Sequence, residues 1–158
     1  MDIDLVYLWV DGSDPVWRAK KAAYEQGGEP IASEAVAEAR FVNNDELKYS
    51  LRSVERYAPW IRHIYIVTDG QVPAWLDLTN PRVSIIDQAE IMPAEALPSF
   101  SSFAIEWSLD KIPGLSEYFL YANDDMFMGR PVTPEDFFNS KGYPIVRLRK
   151  RKGNKRSD

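Results

Sequence analysis

The sequence has 158 residues, of which 45% are hydrophobic and 27% charged, with a formal net charge of -5 and no cysteine. This is the composition of one soluble globular domain. It excludes disulfides and thiolate metal sites, and no window approaches the roughly 20 apolar residues of a membrane span.

The start, Met1-Asp2-Ile3-Asp4, is acidic and lacks the basic region of a signal peptide, so a cytoplasmic location is expected. Ile3 to Val10 is β-branched and aromatic and reads as a strand. It runs into Asp11-Gly12-Ser13-Asp14-Pro15, a tight turn followed by an N-cap with proline at the first helical position. The helix is expected from Pro15 to Gln26, stopped by Gly27-Gly28. Free backbone N–H groups at such a turn can cradle the phosphates of a nucleotide. Trp9, at the strand end, either stacks on a base or belongs to the core. Glu29 to Ala39 is Ala-rich and weakly helical, and Asn43 with Glu46 resembles a capping box. Leu47, Leu51, Val54 and Ala58 then follow at helical spacing until Pro59, with Arg52 and Arg56 on the surface one turn apart.

Ile61 to Thr68 is a second strand, ending in Asp69-Gly70-Gln71. His63, the sole histidine, sits in its first half and reads as structural, which leaves no histidine base. Pro73 to Leu78 reads as a short helical turn carrying Trp75. Arg82 to Asp87 reads as a third strand that ends in an acid. A proline- and hydroxyl-rich loop leads to Ser102, the expected cap of a helix with Ile105, Leu109 and Ile112 on its buried stripe. Glu106 would then lie near that helix's N-terminus, where the dipole favours a carboxylate. Pro134 to Phe138 reads as a helical turn and Tyr143 to Leu148 as a last strand. Seven of the final twelve residues are basic, so residues 1–146 hold 12 basic against 23 acidic side chains. The acidic body would repel nucleic acid, and 147–158 reads as a disordered or truncated tail on a 1–146 core.

The strongest signal is Tyr118-Phe119-Leu120-Tyr121-Ala122, followed at once by Asn123-Asp124-Asp125. The apolar run reads as a strand buried on both faces. Strands alternating with helices give an α/β fold with a mainly parallel sheet, in which ligands bind beyond the carboxyl ends of the strands. Two adjacent acids there suit Mg2+ or Mn2+, which binds through one or two carboxylates and completes its shell with water and substrate phosphates. The alternative is an ordinary turn, since Asn and Asp are common after strands.

Several blocks resemble the Stealth family: Val6 to Pro15, Asn44 to Trp60, Ile64 to Gln71, Leu97 to Ser102, Ala104-Ile105-Glu106 and Asn123 to Phe127. The resemblance implies a Rossmann-like sheet similar to that of the GT-A nucleotide-sugar enzymes. It implies transfer of a sugar 1-phosphate from a nucleotide sugar, often UDP-GlcNAc, to a hydroxyl of an acceptor glycan, as in capsule synthesis. It also implies a bound Mg2+ or Mn2+ near Asn123-Asp124-Asp125, with Glu106 and Asp125 in the catalytic centre. Family members carry two further blocks downstream, so the chain is expected to be a fragment or a shortened member.

The expected site follows. Trp9, Asp11, Gly12 and Ser13 hold the nucleotide, with Asp69 and Asn123 at neighbouring strand ends. Asp124 and Asp125 hold the cation. Glu106 or Asp125 accepts the acceptor's proton, and Arg52 clamps a phosphate. Two rivals are a metal-dependent glycosyltransferase on the same fold, which would release UDP rather than UMP, and a nucleotide-sugar-binding module without turnover.

Overall fold

This computed structural model describes residues 1–27 and 45–148. The expected Glu29 to Ala39 segment, the cap residue Asn43 and the basic tail from residue 149 onward lie outside the described residues. Four strands form one sheet: β1 (Ile3–Leu8), β2 (Ile64–Thr68), β3 (Val83–Asp87) and β4 (Tyr118–Asn123). All pairings are parallel, in the order β3-β2-β1-β4. The chain therefore leaves β1 toward β2 on one side and returns from β3 to β4 on the other. That reversal beside β1 opens a crevice at the strands' carboxyl ends.

Helix α1 (Pro15–Gln26) has the expected bounds. Asp14 is its N-cap, accepting the Val16 N–H at 2.8 Å, and Gly27 is its C-cap. Helix α2 (Glu46–Tyr57) buries Leu47, Ser50 and Val54 against the sheet. Its N-cap position is Asp45, in the left-handed region at φ 62. The core divides by the period-two alternation of the strands. On one face Ile3, Leu5, Tyr7 and Trp9 of β1 and its end pack with Leu47, Val54, Ile64 and Ile66. On the other, Val6, Tyr65, Val67 and Ile86 pack with Ile91, Met92, Leu109 and Ile112. Strand β1, covered on both faces, is apolar except for one residue. The exception, Asp4, is fully buried. Its Oδ1 accepts from Arg62 Nε at 2.9 Å, and its Oδ2 accepts from Arg62 Nη2 at 2.5 Å and the Ser116 N–H at 2.8 Å.

Five local expectations are corrected. Strand β4 lies at the sheet edge among the described residues and is half-buried along most of its length, not buried on both faces. A third helix, α3 (Gln88–Ile91), follows β3 directly. The strand-end acid Asp87 caps it, in a capping box with Glu90. The helix expected from Ser102 to Ile112 is broken: α4 (Ser102–Glu106) ends at Trp107, and Leu109–Lys111 is a separate 3-10 turn. Its cap is Ser101, not Ser102, and Glu106 is its last residue rather than near its N-terminus. Leu109 and Ile112 are buried all the same, so the apolar spacing marked burial without marking a continuous helix. Tyr143 to Leu148 forms no strand, only a single bridge between Phe138 and Pro144. Among the described residues no helix is long and apolar enough to cross a membrane.

Candidate active site

A cleft of roughly 320 Å³ opens at the carboxyl ends of the strands. Each strand contributes its terminal residues: Leu8, Trp9 and Val10 after β1, Val67 to Asp69 from β2, Gln88 after β3, and Asn123 to Asp125 from β4. Phe100, Ser102, Ile105 and Glu106 close it from the β3–β4 connection, and Trp17 of α1 closes the remaining side. Four carboxylates line this space, and among the described residues no lysine, arginine or histidine does. An anionic ligand entering it meets these four acids among neutral polar groups such as Thr68, Gln88, Ser102 and Asn123.

The acids are held differently. Asp69 Oδ1 is ion-paired with Lys20 Nζ, while its Oδ2 is buried without a partner. Gly70 follows at φ 69, a left-handed conformation that costs glycine little and turns the chain sharply after Asp69. Glu106 Oε1 and Asn123 Oδ1 each lie 2.9 Å from the Tyr121 hydroxyl, which lines up with Asn123 on one face of β4. Burial, then the hydrogen bond and charge of Glu106, raise the Tyr121 pKa, so the phenol stays protonated and donates. Asp124 is pushed up to about 6, first by burial and then by the charges of Asp125 and Glu46.

The loop carrying these acids is pinned by α2. Ser50 Oγ donates to the Met126 carbonyl and lies 2.7 Å from the buried Tyr7 hydroxyl. One turn on, Ser53 Oγ accepts the Met128 N–H at 2.9 Å. Helix α2 thus fixes Asp124 and Asp125 from below.

The expected site residues divide between two places. Trp9, Asp69, Glu106, Asn123, Asp124 and Asp125 share the cleft. Trp9 is only 6% exposed and packs in the core, so it serves first as part of the cleft floor. Asp11, Gly12 and Ser13 do not line the cleft. Asp11 Oδ1 accepts the Ser13 N–H at 2.9 Å and the Ser13 hydroxyl at 2.6 Å, and Gly12 O accepts Arg18 Nε at 2.7 Å. Their polar groups are engaged in holding the turn. Arg52 faces a separate hollow with Lys48, Glu55, Trp75 and Arg82, its guanidinium 5.6 Å from the Tyr49 ring centroid. His63 lies 2.9 Å from Ser84 Oγ and against Tyr65, as a structural residue would.

Gln88, Tyr121 and Ser50, residues of the cleft and its support, were not assigned to the site from sequence. Only Tyr121 carried a signal, the two-residue offset from Asn123. Gln71 also went unread. Its amide accepts the Asp11 N–H at 2.9 Å, and donates to the Asp11 carbonyl and to Asp14 Oδ2, each at 3.0 Å, locking the β1–α1 turn to the end of β2.

Among the described residues no three carboxylates or imidazoles converge closely enough to enclose a metal unaided. Asp124 and Asp125 do offer adjacent hard oxygen donors, and the burial and then the neighbouring charge that raise the Asp124 pKa are both costs that a bound divalent cation offsets. The residues present fit Mg2+ or Mn2+ completed by water and ligand phosphates.

Comparison with known proteins sets this site in context. The profile for Stealth protein CR2, conserved region 2, matches residues 40–146, and that for Stealth protein CR1, conserved region 1, matches residues 1–29. The chain is 56% identical over 142 residues to an exopolysaccharide phosphotransferase of Streptomyces coelicolor, covering 89% of this chain and 24% of that protein. It is 52% identical to one of Lactiplantibacillus plantarum, covering 90% of this chain and 41% of that protein. A capsular polysaccharide phosphotransferase of Neisseria meningitidis is 46% identical, over 89% of this chain and 38% of that protein. The chain thus spans about a quarter to two fifths of the length of these curated relatives.

Proposed function

The chain belongs to the Stealth family, and from that premise we propose that it forms the donor-binding and catalytic core of a sugar-1-phosphate transferase of exopolysaccharide or capsule synthesis. The donor is a UDP-sugar, an N-acetylhexosamine derivative, and the acceptor is a glycan hydroxyl in the cytoplasm. The observation that carries this reading is the cleft at the sheet's carboxyl end, which gathers Glu106, Asp124 and Asp125 around one space.

The acceptor oxygen attacks the β-phosphorus of the donor. The bond from that phosphorus to the bridging oxygen breaks, and UMP leaves with the electron pair. Such a reaction needs chiefly positioning and charge stabilisation. Glu106 or Asp125 takes the acceptor's proton. Tyr121 orients Glu106 and, staying protonated, does not compete as a base. The apolar wall of Leu8, Val10, Val67 and Ile105 limits water around the reacting groups. Asp124 and Asp125 would hold the Mg2+ or Mn2+, which neutralises diphosphate charge that four carboxylates would otherwise repel.

A second reading, donor binding without turnover, is favoured by the position of Arg52, which leaves no basic residue among the described ones lining the cleft. Calorimetric titration of UDP-GlcNAc with and without Mg2+, followed by assay for UMP, decides between them. Mg2+-dependent binding with UMP release is the expected result. UDP release would instead mean a glycosyltransferase. Binding with no product would mean a donor-binding module, and no binding would refute the proposal for this donor.

A further inference from the structure

Two side-chain atoms among the described residues are buried with no hydrogen-bond partner, Asp69 Oδ2 and Gln88 Nε2, and both residues line the cleft. The Gln88 residue is 2% exposed and the Asp69 side chain 10%. An unpartnered buried polar atom is costly, and native proteins tolerate few of them. These two also differ in kind: one is an acceptor and the other a donor. The last paired residues of β2 and β3 are Thr68 and Asp87, so Asp69 and Gln88 are the next residues of adjacent strands. Both therefore leave the sheet from paired positions about 4.8 Å apart. Together they place an unpartnered acceptor and an unpartnered donor in the lining of a cleft walled by Phe100 and Trp17.

We infer that Asp69 and Gln88 read the hydrogen-bonding edge of the donor's nucleobase. Asp69 Oδ2 accepts a ring N–H and Gln88 Nε2 donates to the neighbouring ring carbonyl, the pattern of a uracil imide. The inference rests on the donor reading above and assigns which part of the donor lies where.

The sheet order separates this pair from other amide-bearing parts of the ligand. Strand β4, which carries Asp124 and Asp125, is two strands from β2 and three from β3. That places the pair about 10 to 14 Å from the reacting phosphate. A 2-acetamido group hangs only a few bonds from that phosphate and falls short. The base lies beyond a second phosphate and a ribose, at the required reach. Lys20 holds Asp69 Oδ1, which orients the carboxylate and leaves Oδ2 as its unpartnered oxygen.

The test is calorimetry on the chain in Mg2+ with three probes: UDP, N3-methyl-UDP and ribose 5-diphosphate. Gln88→Leu and Asp69→Asn should each weaken UDP binding about tenfold or more, the loss of one well-placed hydrogen bond. Both should leave ribose 5-diphosphate binding within about twofold, and wild type should bind N3-methyl-UDP as weakly as the variants bind UDP. The methylated probe needs no variant, so a misfolded substitution does not blunt the test. If wild type binds UDP and N3-methyl-UDP equally, or if the variants lose UDP and ribose 5-diphosphate alike, the base assignment is overturned while the donor reading stands. If wild type binds none of the three, the donor reading itself fails and this inference with it.

Discussion

Asp124 is where sequence, burial and charge meet in one residue. It follows an apolar strand, so it is partly withdrawn from water, and its neighbour Asp125 adds like charge. Its folded pKa of about 6 stands above the unfolded value of 3.8. The folded state therefore binds this proton more tightly than the unfolded state does. The linked stability is fully present below about pH 4, is lost as the pH rises through about 6, and is flat above that. Without divalent cation, Asp124→Asn should therefore unfold at higher denaturant than wild type at pH 7.5, by about 1 to 2 kcal/mol after allowing for partial solvent screening. The gap should close by pH 4. A gap that is constant across this range would show that Asp124 titrates normally. A second residue-scale outcome concerns Glu106. Glu106→Gln removes a base but keeps a similar shape, so turnover should fall about 100-fold or more while UDP-GlcNAc affinity changes little. Equal losses in both would make Glu106 a binding residue instead. The Asn123-Asp124-Asp125 triplet was legible because polar residues break an apolar run. Gln88 was not, and Tyr121 was only through its two-residue offset from Asn123. A single glutamine or tyrosine carries no mark in sequence of whether its polar atom faces solvent, a partner or a cleft.

At the scale of elements, α2 couples packing to the site. Its apolar stripe was readable from the spacing of Leu47, Leu51 and Val54, but Ser50 on the same buried face was not. A serine is small and polar and breaks no pattern. In the fold its hydroxyl bridges Tyr7 and the Met126 carbonyl, joining the sheet, the helix and the acidic loop. Ser50→Ala leaves the buried Tyr7 hydroxyl and the Met126 carbonyl without that partner and should cost about 1 to 3 kcal/mol in urea unfolding. It should also weaken Mg2+-dependent UDP-GlcNAc binding, because the loop behind Asp124 and Asp125 loses its anchor. Destabilisation with unchanged affinity would show that Ser53 alone holds the loop. Where sequence reading failed on elements, the cause was tertiary. Apolar residues at Leu109 and Ile112 predict burial equally well from a helix or from a 3-10 turn. An apolar run such as Tyr118 to Ala122 cannot say whether its strand is central or at the edge, since that depends on where the chain crosses over. The caps were more legible: Asp14-Pro15 set α1 because a side-chain acceptor and a fixed φ act locally.

At the scale of the whole molecule, the sheet keeps its structural charge and its functional charges at opposite ends. The alternation of strands with helices made a parallel α/β sheet legible, and a parallel sheet gathers the carboxyl ends on one side. It does not disclose the lock at the other end. Asp4 lies near the amino end of β1, at a position the hydrophobic pattern marks as core. Its oxygens are satisfied by Arg62, which precedes β2, and by Ser116, which precedes β4. One buried carboxylate thus ties the starts of three adjacent strands together. Asp4→Ala should therefore be strongly destabilising, by about 2 to 4 kcal/mol, because it leaves the part-buried Ser116 N–H and the arginine without their acceptor. The cleft begins at Leu8, four residues along β1 and so about 13 Å away. The supports of its carboxylates come from α2, Lys20 and Tyr121. Well below its unfolding midpoint, Asp4→Ala should then bind UDP-GlcNAc and Mg2+ within about twofold of wild type, as distant independent sites are expected to behave. Parallel urea melts and calorimetry on the one variant separate the two quantities. If affinity falls together with stability, the strands transmit register from the amino end to the cleft, and Asp4 acts as a positioning residue for the site rather than as a lock on the fold alone.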